Sequence, residues 1–187
     1  MAPKRSKVEE RFPNLDWQLG THLSRMKGMS PETKSFNFKL INLLLPCRER
    51  TSQLLRNNSP NCTLCPAQVS ESLSHCFFEC SLNSRAAQYL LDLSKIFDSS
   101  ISQAKLLQFQ VHTDPLYELP AVTALYSGLG LIWRNRHDRK GTSLYDIRAE
   151  LECLVQGLKK SRLRKLREAG AIITSTLDNF HVNLASL

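Results

Sequence analysis

The sequence predicts a mostly α-helical fold: a small helical domain with an irregular Cys-Cys-His-Cys, zinc-knuckle-like loop embedded in it. Three observations lead there. Apolar residues recur at a period near 3.6 along most of the chain. Alternation of the kind that marks a strand is confined to 108–112. Four of the six cysteines and one of the five histidines crowd into residues 62–80. A length of 187 residues suits one domain, with room for two only if both are small.

The elements follow in order. Residues 1–29 are a basic lead-in with a short helix, in which Trp17 and Leu19 read as packing residues. Ser30 can cap a helix whose first residue is Pro31, with Phe36, Leu40, Leu43 and Leu44 on one side until Pro46, which opens a second helix over 47–56. Beyond the cysteine-rich loop, Ala86, Tyr89, Leu90, Leu93, Ile96 and Phe97 describe another apolar stripe. Pro120 in a first turn starts a helix carrying Val122, Leu125, Tyr126, Leu129, Ile132 and Trp133, apolar early and basic late as it runs into 134–139. From Ser143, Leu144, Ile147, Leu151, Leu154 and Leu158 step by three and four, so a single amphipathic helix is expected to run on to Gly170. Ile173, Leu177, Phe180 and Leu184 form a last stripe that docks back on the body. Three regions result: 1–29, a zinc-binding region over 30–140, and the amphipathic and C-terminal helices over 141–187.

The composition narrows the function. Lys and Arg number 25 against 17 Asp and Glu, a formal charge of +8. Eleven of the basic residues and only four acidic ones fall within 134–167, so this segment holds +7 of the total. The opening MAPKRSKVEERFP lacks the apolar run of a secretory signal. The longest uncharged stretch, 119–133, is shorter than the ~20 residues a bilayer span needs. The expectation is an intracellular protein, in nucleus or cytoplasm, with no membrane partner and with cysteines kept as thiols or metal ligands.

In the stretch CTLCPAQVSESLSHCFFEC, Cys62 and Cys65 can turn two sulfurs toward one ion, and His75 with Cys80 can complete a tetrahedron. Thiolate and imidazole donors select Zn2+ over magnesium or calcium, and four protein ligands leave no open position for a reactive water. An all-sulfur set, with Cys76 replacing His75, fits the spacing as well, because Cys76 and Cys80 lie four apart on one helical face. Cys47 and Cys153 sit in helical patterns and read as small apolar side chains. Glu71 and Glu79 are nominal catalytic bases only, and no nucleophile elbow, phosphate loop or dinucleotide glycine pattern occurs, so an enzyme is not expected.

The segments SFNFKLINLLLPCRERTSQLL, CTLC, ESLSHCFFEC and LIWRNRH together resemble the zinc-binding region downstream of the reverse transcriptase domain in LINE-like, non-LTR retroelements, over about 29–139. The resemblance implies Cys62, Cys65, His75 and Cys80 as ligands, with Cys76 a neighbour, and a role in binding template RNA or target DNA. It does not bring reverse transcription with it: no polymerase-length region, paired-aspartate signature or endonuclease accompanies it.

The basic segment suits phosphate. Arg134, Arg136, Arg139, Lys140, Lys159, Lys160, Arg162, Arg164, Lys165 and Arg167 are the expected nucleic-acid contacts, with Phe77 or Phe78 available to stack on bases and Trp133 as core. RNA or single-stranded DNA is the expected partner. The alternative is a zinc-stabilised protein-interaction module, in which the stripe of the amphipathic helix grips another chain.

Overall fold

A computed structural model describes residues 30–41, 44–55, 58–108 and 115–185. Among them are seven α-helices: α1 (Pro31–Ile41), α2 (Arg48–Leu54), α3 (Ser84–Phe97), α4 (Gln103–Leu107), α5 (Pro115–His137), α6 (Leu144–Lys159) and α7 (Arg164–Ala185), with a π-helical turn at His75–Glu79. The described residues contain no strand; an isolated antiparallel bridge joins Asn61 and Ser70. The expected mostly helical domain with an embedded Cys-Cys-His-Cys loop is therefore the one observed. Trp17, Leu19, Leu43, the alternation expected over 109–112 and the side chain of Leu184 lie outside the described residues.

Ser30 does cap α1, its Oγ accepting the Thr33 N–H at 3.1 Å. The described helix runs over Pro31–Ile41; beyond it Leu44 is exposed, while Phe36, Leu40 and Leu45 enter the core. In α3 the apolar stripe is buried through Leu93, and Ile96 turns outward at the free end. The centre of the fold is α5. It begins at Pro115, so Pro120 lies inside it and withholds one intrahelical hydrogen bond. Every residue from 120 to 130 is buried, because α1, α3, α6, α7 and the π turn all pack around this helix. A helix covered on all sides needs no polar face, which is why a run of mostly apolar residues too short to cross a bilayer sits here. Its few polar side chains find partners: Tyr126 donates to the Leu106 carbonyl at 2.8 Å and Ser127 to Glu150 at 2.8 Å. Gly128 lets α3 approach, since a Cβ there would stand 2.6 Å from a methyl of Leu90.

The amphipathic helix is shorter than its periodicity implies. A capping box opens α6, with Ser143 and Asp146 each accepting the other's backbone N–H, but the helix ends at Lys159. Ser161 turns the chain, its N–H bonded to the Leu158 carbonyl and its Oγ accepting from Leu163. A straight continuation would carry Leu166, Ala169, Ile173 and Leu177 away from the body; the break folds them back against α6 and α5. Gly170, expected as a terminator, is instead a buried contact inside α7, where a Cβ would lie 3.0 Å from that of Leu158. One hydrophobic cluster runs from Phe36 to Leu177, across the boundary expected at 140/141. Most of the stripe of α6 is spent in it: Ile147, Leu151 and Leu158 are buried together with Val155, and Leu154 packs against them, whereas Leu144 in the first turn is exposed.

Candidate metal centre

The Asn61–Ser70 bridge closes a small loop, with the Cys62 N–H donating to the Val69 carbonyl at 2.8 Å and the Glu71 N–H to that of Pro60 at 2.9 Å. The loop sets Cys62 and Cys65 side by side, and the Leu64 N–H points back at Cys62 Sγ from 3.4 Å. His75 opens the π turn and Cys80 closes it, the Cys80 N–H bonding to the His75 carbonyl at 2.9 Å. A five-residue hydrogen bond brings residues five apart into register, as four-residue bonds do in an α-helix. That geometry decides between the two ligand sets. Cys62, Cys65, His75 and Cys80 are all buried, and their donor atoms lie within 4.8 Å of one another. Cys76 points the other way into the main core, where burial pushes its thiol far up.

The four donors are positioned to hold a metal ion. Sulfurs around zinc stand roughly 3.8 Å apart when each bond is near 2.3 Å, and Cys65 Sγ is 3.4 Å from His75 Nε2. The other imidazole nitrogen, Nδ1, is buried without a hydrogen bond and lies 3.9 Å from Glu79 Oε2. That arrangement turns Nε2 toward the sulfurs and the N–H toward a carboxylate, as at many metal sites. Among the described residues only Leu64 and Leu82 supplement the three sulfurs in this small cluster, too little apolar surface to hold the loop by itself.

Arg136 reaches the same cluster from α5. Its guanidinium is buried, donating to Cys62 Sγ at 3.4 Å and Cys80 Sγ at 3.6 Å and pairing with Glu71. Glu71 in turn accepts the Arg48 N–H at 3.1 Å, so its carboxylate holds the start of α2 as well as the end of α5. Burial opposes the Cys62 thiolate, but hydrogen bonds, led by those from Arg136 and the Leu64 N–H, outweigh it and bring that thiol down to about 6. Burial prevails at Cys80 and raises its thiol.

The structure divides the ten expected nucleic-acid contacts. Arg136 is withdrawn from solvent to serve the thiolates. Arg134 pairs with Glu150 at 3.1 Å and Arg164 with Glu168 at 3.2 Å. Arg139 and Lys140 are exposed beside the metal loop, whereas Lys159, Lys160, Arg162, Lys165 and Arg167 are exposed where α6 turns into α7. One length of α6, about 24 Å, separates these two groups. Phe77 and Phe78 are buried, Phe77 edge-on to Phe36 and tilted against Phe78 and Trp133, and present no face to a base. Cys47 is a buried apolar residue as expected, but Cys153 is exposed on α6.

The role of Arg136 was missed, although the pattern carries a signal for it. Leu125, Leu129, Ile132 and Arg136 continue one helical stripe, and a charge in a stripe position implies a buried partner. Comparison of the chain with protein-family models, with curated proteins and with solved structures returns no match.

Proposed function

We propose that the protein is a non-catalytic zinc-binding module that binds nucleic acid, RNA or single-stranded DNA, in the manner implied by its resemblance to the region downstream of LINE-like reverse transcriptases. The observation that carries this reading is the closed Cys62, Cys65, His75 and Cys80 set. Three sulfurs and a nitrogen favour zinc, and a filled tetrahedron serves to tie chain segments together and leaves no position for water activation. Here it ties the loop to α2 and α5 through Glu71 and Arg136.

The nucleic-acid part rests on cations left at the surface. Among the described residues Lys159, Lys160, Arg162 and Lys165 are exposed and form no ion pair. The protein-interaction alternative loses its main support, because most of the stripe of α6 is internal.

Two measurements on the full chain test the reading. Native mass spectrometry is expected to find one zinc per chain. Binding to RNA and DNA, single- and double-stranded, is expected to weaken with salt, with a log–log slope between about −3.5 and −5.5 on duplex for four to six engaged phosphates. Undetectable or salt-independent binding at low salt overturns the nucleic-acid function, and a chain without zinc overturns the whole.

A further inference from the structure

Between the metal loop and the end of α5 lies an open cleft of about 170 Å³, lined by Arg48, Trp133, His137 and Arg139 over the Glu71–Arg136 pair. Pockets for whole small molecules are larger, about 300–1,000 Å³, so this one suits a single chemical group. Its chemistry is that of an anion site. Arg48 is already oriented, its Nε donating to the Ser59 carbonyl at 3.2 Å and its Nη1 to Thr63 Oγ1 at 3.5 Å.

Arg139 supplies the second, independent observation. It adopts φ 57°, in the left-handed region, just past the end of α5. There the Lys140 N–H returns to the Asn135 carbonyl at 2.7 Å and the Arg139 N–H to that of Arg136 at 3.0 Å. Such helix ends usually carry glycine, and an L-residue is strained there because its Cβ crowds the following carbonyl oxygen. An arginine retained where glycine is at ease puts a guanidinium at the cleft, and strain of this kind gathers at binding sites.

The charge balance fits. A dipositive ion, three thiolates, Arg136 and Glu71 together leave one negative charge beneath the cleft, which Arg48 and Arg139 outweigh. Trp133, half-buried with its ring 6.0 Å from that of Phe77, forms the flat wall.

We propose that this cleft binds one backbone phosphate of a nucleic-acid strand, held between Arg48 and Arg139. The proposal rests on the nucleic-acid function above and locates it beside the metal centre, at the opposite end of α6 from the other exposed cations.

The test is fluorescence anisotropy of the zinc-loaded full chain with labelled oligouridylate and oligothymidylate of about 12 nucleotides, between about 50 and 200 mM salt, with inorganic phosphate as a separate titrant. Arg139→Gly is expected to weaken binding about five- to tenfold and to flatten the salt slope by about 0.7, while the melting temperature holds or rises because glycine relieves the backbone. Arg48→Gln should lose a similar factor, and Arg139→Lys should retain most of the affinity. Both cleft variants binding like the parent, while Lys159→Gln with Lys160→Gln weakens it, would overturn the cleft and leave the nucleic-acid function standing. A parent chain that binds neither oligonucleotide overturns both. Binding of inorganic phosphate alone, lost in Arg139→Gly, rejects a nucleic-acid strand as the ligand.

Discussion

Arg136→Ala is expected to destabilise the zinc-loaded protein by about 3–5 kcal/mol, because it strands a carboxylate that the fold has buried. The side chains of Arg136 and Glu71 are only 5% and 8% exposed, so solvent screens their attraction little. Without the guanidinium, Glu71 keeps just the Arg48 N–H on one oxygen. Cys62 and Cys80 also lose charged donors at 3.4 and 3.6 Å, bonds of a kind worth about 1.5 kcal/mol or more each, so the loss adds to that of the stranded carboxylate. At about 2–4 °C per kcal/mol for a chain of this size, the melting temperature should fall by about 6–20 °C. Loss of support for two thiolates should also weaken zinc about 10- to 100-fold, measured by competition with a chromophoric chelator. A double-mutant cycle isolates the pair. Glu71→Gln combined with Arg136→Ala leaves neither charge unpaired and should recover much of the stability lost in Arg136→Ala. Single effects that add to within about 0.5 kcal/mol, with zinc affinity unchanged, would refute the coupling of α5 to the metal loop.

His75→Ala should weaken zinc by more than about 100-fold, whereas Cys76→Ser should keep one tightly bound ion; chelator competition with native mass checks both, and the reverse pattern reassigns the fourth ligand. Gly128→Ala, driven into Leu90, should cost about 1–3 kcal/mol in urea unfolding. Gly157→Ala, with open space around it, should instead add about 0.5–1 kcal/mol, and similar effects at both sites would contradict the packing of α5 on α3. Zinc affinity in metal-buffered titrations should fall as pH is lowered, because protons compete first for Cys80, whose thiol burial raises, and for Cys62 only near about 6. In the metal-free protein the sign is the same for this group. Its depressed thiol stabilises the fold fully above the unfolded value of about 8.5 and loses that contribution as pH falls to about 6. A pH-independent zinc affinity would exclude thiolate ligation.

Local chemistry was legible wherever neighbours in sequence are also neighbours in space. The cap at Ser30, the start of α6 at Ser143 and the stripes of α3 and α6 follow from periods and capping residues that act within a turn or two. Cys62 with Cys65 was equally plain, because a two-residue spacing can turn both sulfurs one way. Where a helix stops proved harder. The end of α6 at Lys159 is set by what the next segment must cover, and Gly170 does not mark it.

By itself, then, the sequence determined the helical class, the metal-binding chemistry of the loop and the surplus of positive charge near the C-terminal third. Tertiary structure decided which of those charges face water. Arg136 looks like its basic neighbours along the chain, but it lies on the face of α5 turned to the metal loop, and a buried cation there persists only because Glu71 and two cysteine sulfurs, from loops more than 50 residues away, are brought to meet it. Likewise the choice of His75 over Cys76 belongs to the π turn, whose wider hydrogen-bonding ring no residue period announces. Burial and long-range pairing are properties of the folded chain, and the assignment of each side chain to core, metal or surface waited on them.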